Sequence, residues 1–426
     1  MTALLVSVLV VAALAALGRG LDHTLHLDLA AHGPWRWPLG ALVALTLLAL
    51  GWLHPLLGTT LLGLLVAARR PGGRDVRPAH HGPLVWGAAV GLLVGAARPM
   101  GPLYWDEHVW LAKARLATRG IHTLADAALA PNTVVLPRGY PIGWSLAEAL
   151  LAGLSPDAAS LTAGAYALSA LCLLLYVALL DRGGRGPVAL GVMAAAPLAW
   201  VHWRSAYVDL PLGLLTASVA VGLDHARRQG DGRTMPLVVS AAALAGAAKD
   251  EGSVHIAAIV FAFVVTGGLR DRAERRSIVL VGAAGLVPGL AWWVLRHAAD
   301  VANTDHAPTG FAFFQAGALV RQSLWHLADV RSWGVVPAAV GGAVIVALRR
   351  PATRPLALAL VCAGGALAAA VLVGPERVRD FALQGTLLSR LAMQLLPLGA
   401  VVLAEALGPE ASRSPTECTA GVGARG

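Results

Sequence analysis

Long apolar runs alternate with short polar loops along almost the entire chain. The runs are roughly 15–23 residues long, which is the length of a helix that crosses a bilayer. They lie near 2–18, 38–67, 83–98, 158–180, 187–201, 209–223, 236–248, 253–269, 277–296, 334–348, 355–373 and 390–408. This pattern predicts an all-α polytopic membrane protein with about 12 transmembrane helices.

The run at 38–67 is longer than a single crossing needs, and His54 and Pro55 interrupt it in the middle. Proline inside a helix kinks or ends it. The run therefore predicts either one kinked helix or a tight pair of helices. The first run, 2–18, has no positive charge before it, so we expect an uncleaved first span rather than a signal peptide.

The loops between the runs are of two kinds. One set is rich in arginine and comprises 69–81, 181–186, 224–234, 270–276 and 349–354. The other set carries Trp-Asp-Glu at 105–107, Tyr-Val-Asp at 207–209, Lys-Asp-Glu at 249–251 and Ser-Arg at 389–390. Loops rich in positive charge stay in the cytoplasm, so the second set predicts an active site on the extracytoplasmic face of a multi-pass cell-membrane protein. Both termini are expected in the cytoplasm, although two crossings within 38–67 would move the N-terminus to the outer side.

The overall charge fits the same interpretation. Hydrophobic residues make up 57% of the chain, charged residues make up 13%, and the net charge is +9. The positive charge is concentrated in the arginine-rich loops, where membrane lipids are its expected partners. Basic residues neither follow a groove nor alternate with aromatic residues, so no nucleic-acid partner is expected.

Three regions are expected along the chain. Residues 1–82 form N-terminal transmembrane helices, and residues 409–426 form a disordered cytoplasmic tail. Between them, residues 83–408 form a transmembrane catalytic domain with a long outer loop at 99–157.

The outer loop predicts two helices of its own. Trp105–Arg119 has apolar Ala112 and Leu116 at helical spacing beside Lys113, which is typical of an amphipathic helix on the outer membrane surface. The apolar stretch that follows Tyr140 is too short to cross, and it predicts a surface or re-entrant helix.

The adjacent acids Asp106 and Glu107 are the first candidates for chemistry. Either carboxylate could act as a general base or bind a divalent cation, and His108 is a possible substrate contact beside them. The alternative is an acid pair that only stabilises a helix N-terminus. The outward histidines share no ligand spacing, so no cofactor is required, and a divalent metal is possible.

Asp209 is the second candidate, because a carboxylate where a run re-enters the membrane is costly unless it is paired or functional. It follows Arg204 and Tyr207, which are possible substrate contacts, and precedes Pro211. Since proline suits the first turn of a helix, Asp209 could also be a helix cap.

Lys249 is one of two lysines in the chain, and it lies between two apolar runs beside Glu251. Its ammonium group could contact a phosphate, or the segment could be an internally neutralised turn. Arg390 stands at the outer end of the last run and could bind an anionic head group, although interfacial arginines are common.

Taken in order, these motifs resemble the GT-C superfamily of multi-spanning glycosyltransferases. They are closest to the branch of protein O-mannosyltransferases and aminoarabinose transferases. The motifs that carry the resemblance are Asp106-Glu107, Tyr140–Ile142, Tyr207–Leu212, Lys249–Gly252 and Ser389–Leu391. The resemblance covers roughly residues 83–408. The chain departs from the family pattern in having more than one run before the acidic pair and no large soluble domain.

The resemblance implies transfer of a sugar from a polyprenyl-phosphate donor to a hydroxyl of a glycan, lipid or protein acceptor. Asp106 or Glu107 would remove the proton from the acceptor, and Asp209 would orient the acceptor or assist the base. The residues implied to bind the substrates are Lys249, Glu251, Arg390, Arg204, Tyr207 and His108.

Three alternative functions were compared with this pattern. Secondary transporters also concentrate charges within membranes, but usually near the bilayer midplane and with inverted repeats, which this chain lacks. A lipid-linked glycan polymerase or ligase has the same broad architecture, but its outer loops are usually dominated by arginine. A membrane scaffold would not need Asp106, Asp209 and Lys249 on one face.

Overall fold

The computed structural model describes residues 2–29, 35–68, 105–120, 140–181, 184–229, 232–301, 310 and 312–408. The expected span at 83–98 and the expected tail at 409–426 lie outside these residues. The side chains of five helical residues are also outside the description: Trp105, Asp106, Gln229, Phe313 and Phe314.

Helices make up almost all of the described chain, and no strand occurs in that part. The first eight are α1 (Thr2–Leu25), α2 (Arg36–Leu53), α3 (Pro55–Ala68), α4 (Trp105–Thr118), α5 (Gly143–Leu151), α6 (Ala158–Asp181), α7 (Gly186–Ala194) and α8 (Pro197–Trp203). The next six are α9 (Asp209–Gln229), α10 (Met235–Ala248), α11 (Asp250–Phe263), α12 (Arg272–Ala298), α13 (Phe313–Leu327) and α14 (Val330–Trp333). The last four are α15 (Val336–Arg349), α16 (Arg354–Val373), α17 (Glu376–Leu383) and α18 (Thr386–Leu407).

Seven of the described helices are long and apolar enough to cross a membrane, where α11 is counted with the π-helical turn Val264–Gly268 that continues it. Helices α7 and α8 would make an eighth span, bent by 91°. Helices α3, α10 and α15 are apolar but have 14 residues each, a length of ~21 Å. The all-α architecture is therefore confirmed for the described residues, and the seven long apolar helices are consistent with a membrane-embedded protein. The expected 12 spans are not confirmed.

Residues 38–67 form a pair of helices. Helix α2 ends at Leu53, α3 begins at Pro55, and the two helices pack against each other. At the far end of the pair, Arg276 donates a hydrogen bond to the carbonyl of Ala67, and Arg233 binds Asp28 in the segment between α1 and α2. The C-terminal ends of α1 and α3 thus both lie at the arginine-rich end of the bundle.

The start of α1 lies at the other end, where Val6 packs beside Gly153. The expectation that both termini share the arginine-rich side is therefore wrong for the N-terminus. The reason is that the α2–α3 pair returns the chain to the end of the bundle at which α2 begins, which a single continuous helix would not do.

Charged side chains gather at both ends of the bundle. At the arginine-rich end, Arg185 and Arg228 bind the carboxylates of Asp224 and Glu405, which form a mostly buried group of alternating charges. At the opposite end, Asp209 at the start of α9 meets the beginning of α18. Helices α9 and α18 therefore run in the same direction and are joined by ion pairs at both ends.

Helix α4 confirms the predicted helix but not its predicted polar face. Lys113 is fully buried, and Ala112, expected on the apolar face, is exposed. The helix packs against α5 and α6. The amphipathic pattern predicted an exposed Lys113, but aromatic rings lie around its ammonium group, as described below.

Candidate functional site

The carboxylate of Asp209 is the centre of the site. It is 1% exposed. Its Oδ1 atom accepts hydrogen bonds from Lys249 Nζ at 3.0 Å and Gln394 Nε2 at 2.7 Å, and its Oδ2 atom accepts one from Arg390 Nε at 2.9 Å. A buried carboxylate needs partners of this kind, because an unpaired charge inside a helix bundle costs several kcal/mol.

Lys249 also binds a second acid. Its Nζ atom lies 3.2 Å from Glu251 Oε1, and the lysine side chain is 2% exposed. We call Asp209, Lys249, Glu251, Arg390 and Gln394 the Asp209 cluster. Its two carboxylates and two cations balance, which allows all of them to lie in or near the interior.

The backbone around Lys249 is built to place its side chain. The residue has extended geometry, with φ −152° and ψ 155°, and it separates α10 from α11. The two helices fold back on each other so closely that a Cβ atom at Gly252 would lie 2.0 Å from the Ala245 carbonyl oxygen. Only glycine fits there, so the Lys-Asp-Glu-Gly sequence is a tight turn that presents Lys249 to α9.

Helix α18 brings Arg390 and Gln394 to the same carboxylate. The two residues are one helical turn apart and therefore share a face of α18. The amide of Gln394 is fixed from the other side, since its Oε1 atom lies 2.9 Å from His255 Nε2 on α11. Three helices thus meet at Asp209.

Aromatic side chains cover the arginine. The guanidinium of Arg390 lies 5.4 Å from the ring centroid of Tyr207, and that ring lies 4.9 Å from the ring of His202. A cation over an aromatic face is attracted by the ring quadrupole. Tyr207 therefore lies against the cluster, and its role as a substrate contact remains a prediction.

The backbone of Arg204 anchors the segment before α9. Its carbonyl accepts a hydrogen bond of 2.7 Å from the Tyr166 hydroxyl. The side chain of Arg204 is partly buried and lies within electrostatic range of Tyr166. A direct phosphate contact for Arg204 remains a prediction.

The two acids of the outer loop differ in what the structure describes. The side chain of Glu107 is fully buried and within electrostatic range of Tyr166. The side chain of Asp106 lies outside the described part of the chain. His108 is exposed, and its role as a substrate contact remains a prediction.

Sequence reasoning missed several side chains of this region. Gln394, His202 and His255 contact or adjoin the Asp209 cluster, and Tyr140 and Lys113 link it to α4. Gln394 had a usable signal, because it is a polar residue one turn after Arg390 in an otherwise apolar run. Tyr140 belongs to the Tyr140–Ile142 motif, but that motif did not indicate a contact between its ring and two lysines. The remaining residues carried no signal of their contacts with the cluster.

Metal ligands do not cluster within the described ranges: no group of three or more histidine, cysteine or acidic side chains there could hold an ion. The possible divalent metal therefore remains a prediction.

No protein-family model matches this chain, and no curated protein matches it significantly.

Proposed function

We propose that the chain is an integral membrane glycosyltransferase. It would transfer a sugar from a polyprenyl-phosphate donor to an acceptor hydroxyl on the outer face of the membrane. The observation that carries the proposal is the meeting of three sequence motifs at one carboxylate. Lys249 and Arg390 bind Asp209 across sequence separations of 40 and 181 residues. These motifs also carry the resemblance to GT-C glycosyltransferases.

The two cations suit the phosphate of the donor. Arg390 is 22% exposed, whereas Lys249 is 2% exposed, so a phosphate would meet the guanidinium first. When the bond between the anomeric carbon and the phosphate oxygen breaks, the electron pair stays on the lipid phosphate. Fixed positive charges in a site of low dielectric constant stabilise that developing charge.

Asp209 is better suited to holding these cations than to removing a proton. Three donors already occupy its two oxygens. The acceptor hydroxyl needs a different base as its oxygen bonds to the anomeric carbon. Glu107 fits that role because it is buried on a separate helix at the same end of the bundle, and Asp106 beside it stays an equal alternative.

The position of the cluster favours transfer over transport. Asp209 is the first residue of α9, Lys249 lies between two helices, and Arg390 lies in the first turns of α18. Transporter sites usually lie near the bilayer midplane on interrupted helices. A site at helix ends, displaced towards one side of the membrane, suits a reactive head group that stays attached to a lipid of that leaflet.

The test is a transfer assay with purified protein in liposomes. Radiolabelled polyprenyl-phosphate sugars are supplied with candidate glycan, lipid and protein acceptors, and wild type is compared with Glu107→Gln. Label that moves to an acceptor only with wild type supports the proposal. Saturable uptake of a solute without transfer from any donor would instead identify a transporter.

A further inference from the structure

The two lysines of the chain contact the same aromatic ring. Lys249 Nζ lies 5.2 Å from the ring centroid of Tyr140, and Lys113 Nζ lies 5.7 Å from it. Both distances are within the range in which a ring face attracts a cation. Tyr140 directly precedes Pro141 and the short helix α5, and its side chain is half-buried.

Lys113 is held in an aromatic environment of its own. Its ammonium group lies 5.2 Å from the ring centroid of Trp110, and the rings of Trp110 and Tyr140 are 5.8 Å apart. Fully buried lysines are rare unless they have partners. The two rings provide part of that stabilisation, and they fix α4 to the segment that begins at Tyr140.

The same ring therefore joins two parts of the proposed active site. Helix α4 carries Glu107, the proposed base, and Lys249 binds both Asp209 and Glu251. No backbone hydrogen bond of the described residues joins α4 to α11, the helix that follows Lys249. The Tyr140 ring is thus a side-chain link between the base and the phosphate-binding cations.

We propose that Tyr140 is a positioning residue of the transferase: its ring sets the separation between Glu107 and the Asp209 cluster. The link to catalysis rests on the proposed function, whereas the link between α4 and the Asp209 cluster does not. The ring face carries the interaction, so phenylalanine should replace tyrosine and leucine should not. Loss of either cation–aromatic contact should allow α4 to move relative to α11.

The first test measures that movement without any assay of activity. Spin labels are attached to cysteines at Arg115 on α4 and Val254 on α11, both exposed, in a background with Cys172, Cys362 and Cys418 replaced by alanine. Pulsed electron spin resonance then gives the distance distribution in liposomes. Tyr140→Phe should keep the single narrow distribution of the parent, and Tyr140→Leu should broaden or shift it.

Lys113→Met provides a second route to the same result, because it removes the charge and keeps most of the apolar stem. Lys113→Met should broaden the distance distribution as Tyr140→Leu does. It replaces Tyr140→Leu in the test if the leucine variant fails to fold. A distribution identical to that of the parent in folded Tyr140→Leu or Lys113→Met would overturn the inference.

The second test uses transfer kinetics. A positioning role predicts that Tyr140→Leu lowers kcat by about tenfold or more and changes the donor KM by less than about twofold, with Tyr140→Phe retaining most of the rate. The double variant with Lys113→Met should lose little more than either single variant. An equal loss in Tyr140→Phe would assign the effect to the hydroxyl and overturn the role of the ring.

The two proposals fail in different ways. A wild-type protein that transfers no sugar would defeat the proposed function, while the distance measurement would still decide whether the Tyr140 ring holds α4 in place.

Discussion

Arg390 donates a hydrogen bond to the carboxylate of Asp209, with Nε 2.9 Å from Oδ2, across 181 residues of sequence. The bond joins the first turns of two helices, α9 and α18, that run in the same direction. Because Lys249 and Gln394 share the same carboxylate, the contact fixes three helices at one point. Asp209 therefore has a structural role, in addition to the role proposed above in holding the two cations.

Replacement of Asp209 by asparagine should destabilise the protein. The amide keeps the shape but leaves Lys249 and Arg390 without their counter-charge, and removal of one partner of a buried ion pair costs about 3–5 kcal/mol. The thermal unfolding midpoint in detergent should fall by several degrees. Asp380→Asn, which changes an exposed aspartate on α17, is the matched control and should leave the midpoint unchanged. Equal midpoints for the two variants would contradict the structural role.

Glu107→Gln should abolish transfer and leave the protein folded, because it removes a base without altering shape. Loss of a general base lowers rates by about 10²- to 10⁴-fold. The measurement is single-turnover transfer in liposomes, with monodispersity in detergent as the folding check. Arg115→Gln changes an exposed side chain on the same helix and should transfer normally. Full activity in Glu107→Gln would move the role of base to Asp106.

Lys249→Ala should weaken the use of the donor more than the use of the acceptor. The ammonium group is proposed to bind the lipid phosphate, so the donor KM should rise by about tenfold or more, while the acceptor KM changes little. Both constants come from initial rates with one substrate varied at a time. A similar rise in both would indicate that Lys249 only shapes the turn.

Glu148 on the short helix α5 predicts a pH dependence of stability. Burial raises the pKa of this carboxyl to about 8, against a hydrogen bond from Trp144 Nε1 that lowers it. The folded state therefore holds its proton over a pH range in which the unfolded state has lost it. The contribution of the protonated Glu148 carboxyl to the free energy of unfolding is greatest below a pH of about 4.5. It declines as the pH rises towards about 8, and it is constant above that pH.

The matched variant for this prediction is Glu148→Gln, which cannot ionise. The difference in unfolding midpoint between wild type and Glu148→Gln should change between pH 5 and pH 9 in favour of the variant. A constant difference across that range would show that Glu148 does not carry the effect.

Gly252→Ala should disrupt the turn that presents Lys249. The added methyl group would overlap the Ala245 carbonyl oxygen, so α10 and α11 would have to separate. Both the unfolding midpoint and the transfer rate should fall. Gly365→Ala on α16 is the control, because a Cβ atom there meets nothing within 4 Å and alanine favours a helix. A harmless Gly252→Ala would mean that the turn tolerates wider spacing.

The sequence was sufficient to identify the parts of the site that lie at the ends of apolar runs. Asp209, Lys249, Glu251 and Arg390 all stand where a run begins or ends, so their shared side followed from the alternation of loops. Their contacts agree with that inference. The helical pair at 38–67 was one of two open interpretations, because proline marks a break without giving the angle of the chain after it.

The remaining parts depended on contacts that no local pattern encodes. Lys113 was expected on a polar face because amphipathic spacing treats every lysine as exposed, yet two aromatic rings bury it. The arginines of the arginine-rich loops were expected at the membrane surface. Arg185 and Arg228 instead bind Glu405, which is distant in sequence.

The shortness of α10 has a consequence for access to the site. Its 14 residues span ~21 Å, whereas the hydrocarbon core of a bilayer is ~30 Å thick. If the arginine-rich end of α10 lies at one membrane surface, Lys249 at its other end is recessed several ångströms below the opposite head groups. A phosphate still tethered to its lipid can descend into such a recess from within the leaflet, whereas a sugar nucleotide dissolved in water would have to leave its hydration shell to reach it.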